Sequence, residues 1–281
     1  PYVKTIHDRI TIEVMRGCTQ GCRFCQAGMS KRPTRPRTVE NVLKLAELCY
    51  ANTGHNEISL ASLSISDYPF LKPLMERLNN AFCRRHVNIS FPSLRVNEQL
   101  VLLPSLLNTV RKSGLTLAPE AATQTLRRII NKNITDEDLF KGVEEAFKQG
   151  WNVVKLYFMV GLPTETDDDI DAIARLAYAV SDLKKKVKGS YGQVNISIAP
   201  FVPKPHTPFQ WHPMVTMQRI KEIRARLFNK IQRKCIHIKF HHAERSILEG
   251  IFARGDRRLG KVIFMAWQDG CKFDAWEEHF H

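Results

Sequence analysis

The stretch Ile10-Thr11-Ile12-Glu13-Val14-Met15-Arg16-Gly17-Cys18-Thr19-Gln20-Gly21-Cys22-Arg23-Phe24-Cys25-Gln26 runs a strand-like segment, Ile10–Val14, into a loop that carries three thiols. Glycines break that loop. Three thiolates so close together make a soft, electron-rich donor set, which suits an iron–sulfur centre or zinc. No fourth ligand is obvious, and three ligands with an open position are the layout of a reactive site rather than a sealed structural one. The competing readings are a zinc site and three unrelated core thiols. Zinc usually takes paired CxxC knuckles, and the chain has no second pair.

Outward from this loop, short β-like runs alternate with amphipathic helical patterns. The β-like runs are Ile10–Val14, Glu57–Leu63, Val87–Phe91, Leu115–Ala118, Val153–Met159 and Val194–Pro200. Helical patterns fall at Val39–Ala51, Phe70–Arg84, Glu98–Lys112, Glu137–Gln149 and Asp167–Leu183, with apolar residues at three- and four-residue steps. Thr135 with Asp138 reads as a helix start. Six such βα units predict an α/β fold with a parallel sheet and right-handed crossovers. Alternation alone does not separate an open sheet from a barrel. After Pro200 the run Phe201-Val202-Pro203-Lys204-Pro205-His206-Thr207-Pro208 is too proline-rich for regular structure. A helix over Thr216–Lys234, a strand at Ile236–Phe240 and helices from Arg245 to Trp267 are expected beyond it. This divides the chain into an α/β unit over 1–212 and an extension over 213–281 that packs on it.

The 281 residues are 43% hydrophobic, enough for one large core. No run reaches the roughly 20 apolar residues of a membrane span, and no signal peptide is visible. Seven cysteines, four of them (Cys49, Cys83, Cys235, Cys271) scattered, argue against a disulfide framework and for a reducing cytoplasm. The chain reads as a piece of a longer protein. A net charge of +14 favours a polyanionic partner such as RNA, against the alternative of a solvated basic surface. Arg23, Lys31, Arg32, Arg35 and Arg37 follow one another with no acid between them and leave the thiol loop directly. Their charge is expected at its mouth.

The C-x3-C-x2-C spacing, with an aromatic before the last cysteine, resembles the radical S-adenosylmethionine superfamily. Arg16-Gly17-Cys18 through Gly28, Ala118-Pro119-Glu120-Ala121 and Leu248-Glu249-Gly250 through Arg258 are most similar to a family that joins this core to a cobalamin-binding-like domain. Methylthiotransferase-like branches are related. The resemblance implies a partial (β/α)6 barrel with a C-terminal helical extension. It implies a 4Fe–4S cluster on Cys18, Cys22 and Cys25, whose open iron binds S-adenosylmethionine. It also implies reductive cleavage of that cofactor to a 5′-deoxyadenosyl radical, and an electron donor such as a flavodoxin or ferredoxin. Cobalamin would come through a domain absent from this chain. Methyl or methylthio transfer to RNA or a ribosomal component is the reaction it suggests. A non-catalytic iron–sulfur or zinc RNA-binding module is the alternative.

The resemblance also places the cofactor. Phe24 lies beside the last thiol. Ser64, Ser66 or Asp67 would stand where relatives have a Gly-Gly-Glu-like stretch for the cofactor's amino group, although Ser66 or Asp67 equally suits a helix cap. Arg95, after the third strand, would take a carboxylate or lie on the surface. Glu120 ends the fourth strand and resembles a family glutamate that contacts the ribose or amino group, with Lys132 downstream. Gly161, in Gly161-Leu162-Pro163-Thr164-Glu165-Thr166, would let the adenine approach the backbone, while Thr164 or Thr166 caps a helix. Asn195 and Ser197, polar residues of the sixth strand, would reach the ribose hydroxyls, and Pro200 at its end would help seat the cofactor. Phe209 and Trp211 read as base-stacking or as core. Cys235, His237, His241 and His242 match no standard metal spacing.

Overall fold

The computed structural model describes residues 8–90 and 114–271. Strands β1 (Ile10–Arg16), β3 (Glu57–Ser62) and β4 (Asn88–Ser90) are parallel, and a short β2 (Arg35–Pro36) pairs antiparallel with the end of β1. A second sheet, β5 (Leu115–Glu120), β6 (Val153–Val160), β7 (Gln193–Pro200) and β8 (Ile236–Phe240), is parallel throughout and ordered as in sequence. The expected helix over 98–112 lies between β4 and β5, outside the described residues. The strand at 236–240 therefore joins the barrel sheet rather than standing apart from it.

Helices cover one face of each sheet, as parallel strands joined by crossovers require. They are α1 (Gln26–Ser30), α2 (Val39–Thr53), α3 (Leu71–Phe82), α4 (Gln124–Ile129), α5 (Asp136–Lys148), α6 (Asp167–Lys188), α7 (Met217–Lys230), α8 (Ala243–Arg254) and α9 (Leu259–Gln268). Val14, Ile58 and Leu60 pack on Val42, Ala46, Leu74 and Phe82. Val154, Leu156, Val194 and Ile196 pack on Leu139, Val143, Ile173 and Ala177, and Trp151 touches both clusters. Each fully buried side chain of this kind contributes about 1.5–3 kcal/mol.

The other sheet face is different. Along β6, Val154, Leu156, Phe158 and Val160 are buried, whereas Lys155 and Tyr157 are exposed. Period-two alternation puts Val154, Leu156, Phe158 and Val160 under the helices and leaves Lys155 and Tyr157 on the other, concave face with Val153 and Met159. Helix starts are fixed locally. Thr135 and Asp138 form the expected capping box of α5, and Thr166 with Asp169 forms that of α6.

Candidate cluster and cofactor site

The thiol loop leaves β1 at Gly17, which has φ of +91°; a Cβ there would sit 2.5 Å from the Lys31 carbonyl oxygen. Only glycine lets the 31–34 backbone close over the loop entrance. Cys18 and Cys22 are buried and Cys25 half-buried, and none of the seven cysteines is in a disulfide. Cys25 caps α1, its sulfur accepting from the Gly28 N–H at 3.3 Å.

Three clamps shape the loop. Arg32 donates to the carbonyls of Gln20 (2.9 Å) and Gly28 (2.8 Å), bracketing all of Cys22-Arg23-Phe24-Cys25. Asp67 accepts from the side chains of Thr19 (3.2 Å) and Gln20 (3.1 Å). Across the barrel mouth, Asn131 donates to the Gly21 carbonyl at 2.8 Å, and Arg23 donates to the Ile129 carbonyl at 2.6 Å. Asp67, between β3 and α3, and Asn131, between α4 and α5, thus hold the loop from two different connections. Neither Ser66 nor Asp67 caps α3, whose cap position is Phe70.

Most of the strand ends named above converge near this loop. Phe24 packs with Ala121, Leu126, Ile130, Leu162, Phe201 and Phe209, neighbours of Glu120, Gly161 and Pro200 in sequence. Phe209 is buried, with its ring 5.9 Å from that of Phe201, so it is core; Trp211 is 86% exposed. Ser64 is 1% exposed and its hydroxyl has no hydrogen-bond partner. Leaving a buried hydroxyl unpaired costs about 1–3 kcal/mol, a cost that a ligand with a polar group removes.

Glu120 follows a register shift between β5 and β6 and has φ of +66°, a left-handed conformation disfavoured for a glutamate. Its carboxylate meets Lys132 at 3.4 Å. Fully buried Arg127 holds the next two peptides in place: it donates to the carbonyls of Ala121 (3.2 Å), Ala122 (3.0 Å) and Ile134 (2.9 Å) and pairs with Asp136. Gly161 also has positive φ, +81°, but the space a Cβ would take is filled by Val215, at 2.5 Å. The close approach that requires glycine there is that of Val215. Glu165 folds back so that its carboxylate accepts from the Gly161 N–H at 2.8 Å, and burial pushes its pKa up to about 7 despite that bond. Arg95 lies outside the described residues.

Asn195 and Ser197 sit lower on β7 and line a cavity of about 740 Å³ with Lys155, Tyr157, Lys239, His241, His242 and Arg245. Among the described residues no three His, Cys, Asp or Glu groups gather closely enough to hold a single metal ion. A zinc ion would draw its thiolates to about 2.3 Å from one point. Three soft thiolates on one loop are the donor chemistry of a 4Fe–4S cluster, in which each would hold a different iron.

The profile of the radical SAM superfamily matches residues 12–177. The chain belongs to the radical SAM superfamily. Membership implies a 4Fe–4S cluster and S-adenosylmethionine as its cofactors. An uncharacterized protein of Methanocaldococcus jannaschii is 35% identical over 254 residues, covering 90% of this chain and 53% of that one. A ribosomal protein uS12 methylthiotransferase of Desulfotalea psychrophila is 22% identical over 274 residues, covering 92% of this chain and 58% of the relative. The chain thus spans about half the length of the curated relatives it matches. A radical S-adenosylmethionine methyltransferase from Kitasatospora setae, solved with cobalamin and a 4Fe–4S cluster, superposes with a TM-score of 0.56. It shares 15% identity over 72% of this chain and 38% of its own, which shows the common fold. No described helix is long and apolar enough to cross a membrane.

Proposed function

We propose that Cys18, Cys22 and Cys25 hold the cluster and that Phe24, Ser64, Ser66, Glu120, Asn195, Ser197 and Pro200, with Arg95, seat the cofactor. The observation that carries this is the clamped loop: three thiols at the end of β1, bracketed by Arg32 and tied to Asp67 and Asn131. When bound, the cluster and cofactor supply a 5′-deoxyadenosyl radical. The chain's own residues then have three tasks. The clamps keep the thiol backbone from closing over the open iron. Ser64 offers its unpaired hydroxyl, and Glu120 its carboxylate, to the cofactor's polar groups. The Phe24 cluster would keep water from the space beside the thiol loop.

The reaction we propose is methyl or methylthio transfer to RNA or a ribosomal component in the cytoplasm, with electrons from a flavodoxin or ferredoxin. Similarity to a methylthiotransferase of a ribosomal protein supports it, as does the +14 charge. Cobalamin, if used, would be held outside this chain. In this reading 1–212 is the catalytic barrel and 213–281 an extension that adds β8 to the edge of its sheet. Anaerobic reconstitution is expected to give about four irons and four sulfides per chain. The reduced protein is expected to convert S-adenosylmethionine to 5′-deoxyadenosine and methionine. Cys18→Ala, Cys22→Ala and Cys25→Ala abolish both, and Cys235→Ala neither. Stoichiometric zinc without iron in anaerobically purified protein would defeat the reading.

A further inference from the structure

We infer that the concave face of β6–β8 binds an oxyanionic group of the substrate, phosphate or carboxylate, with Lys155 and Lys239 as its cationic anchors. This names the substrate chemistry of the enzyme just described and rests on that reading. In register, Lys155 stands opposite Asn195 and His237, and Tyr157 opposite Ser197 and Lys239. The two lysines therefore flank β7 one rung apart, on strands about 4.8 Å from their neighbour. All of these except His237 line the 740 Å³ cavity. That volume falls in the range of small-molecule sites, about 300–1,000 Å³.

Among the described residues the charges of the two lysines are not balanced. Neither Lys155 nor Lys239 makes a hydrogen bond or ion pair among the described residues. Glu249 is the carboxylate of the lining, and it is paired with Lys204. His241, His242 and Arg245 at the start of α8 add donors to the rim, and the 12-residue α8 points its positive end the same way. Lysines on a convex surface are held apart by water. Here two of them share a concavity with low-dielectric walls, which concentrates positive potential and draws an anion. Tyr157 supplies a neutral hydrogen bond to the same group.

The test uses the anaerobically reconstituted protein and three probes of one shape: phenyl phosphate, benzoate and uncharged benzyl alcohol, followed by ligand-observed NMR. Phenyl phosphate or benzoate binds, more weakly as salt is added, and benzyl alcohol does not; the preferred anion tells phosphate from carboxylate. Lys155→Gln and Lys239→Gln each weaken binding about tenfold, the loss of one charge-assisted hydrogen bond. Lys186→Gln, on exposed α6 surface, leaves it unchanged. Lys155→Arg and Lys239→Arg keep most of the affinity, which separates lost charge from a lost fold. Cleavage of S-adenosylmethionine without substrate is measured in the same samples and is unaffected by the glutamines; its absence from the wild type counts against the radical reading alone. The inference is overturned if neither anion binds at low salt, or if the glutamine variants bind as tightly as the wild type.

Discussion

Arg32 illustrates how a surface charge becomes part of a buried site. Its guanidinium is exposed by area, yet two of its nitrogens are spent on the carbonyls that bracket the last two cysteines. Arg32→Ala leaves those carbonyls to water and lets the loop relax. The expected outcome is a reconstituted protein with less than half the wild-type iron and an unfolding temperature within a few degrees of the wild type. Full iron content in the variant would show the clamp to be dispensable. Arg127 is the opposite case, fully buried and bonded to three carbonyls and Asp136. Arg127→Met strands those acceptors in the core, so a loss of about 3 kcal/mol or more is expected in urea unfolding. A loss below about 1 kcal/mol would mean that water replaces the guanidinium. Neither role is visible in the sequence. The cysteine spacing is local and reads directly, but an arginine's choice of carbonyl depends on a fold that brings distant backbone beside it. For the same reason the glycine at 161 was read for a ligand when the structure gives its space to Val215, which lies 54 positions on.

At the level of elements, hydrophobic periodicity located every long strand and helix among the described residues and missed the short ones. α1, β2 and α4 are too brief for a pattern to repeat. α6 runs to Lys188 rather than stopping at Leu183: Val187, four residues on, continues the apolar face, the lysines around it suit the negative end of the helix, and Gly189 caps it with φ of +78°. The turn before α6 carries its own prediction. Burial raises the Glu165 pKa from 4.5 to about 7. The folded state then binds more protons than the unfolded one between those two values. Stability contributed by this group is therefore highest below pH 4.5, falls as pH rises to about 7, and is level above that. Glu165→Gln should flatten this part of the stability–pH curve, measured by thermal unfolding at constant ionic strength. An unchanged slope between pH 5 and 7 would assign the dependence to other groups. Asp171 acts in the other direction. Arg226, with Lys230, holds its carboxyl well below the ordinary range and ties α7 to α6, so that link weakens only in acid.

Across the whole molecule, the +14 charge matters less than where free cations remain. Of the basic run at the loop mouth, Arg23 and Arg32 donate to the Ile129, Gln20 and Gly28 carbonyls, and Arg37 to that of Glu13. Lys31 and Arg35 are exposed and make no side-chain hydrogen bond or ion pair among the described residues. If the substrate is RNA, these two are the groups that meet its phosphates beside the thiol loop. Reversing Arg32 would confuse the matter, because the same change opens the cluster site. The informative variant is Lys31→Glu with Arg35→Glu. Each phosphate contact releases counterions, with a slope of about 0.7–0.9 in log affinity against log salt. The double reversal should therefore weaken binding of total cellular RNA and flatten its salt dependence by about 1.5 in that slope, with iron content unchanged. A small anionic substrate held by Lys155 and Lys239 predicts a different pattern: weak RNA binding at low salt and no response to the reversal. One salt titration of both proteins decides whether the basic mouth recognises a polymer or is only solvated.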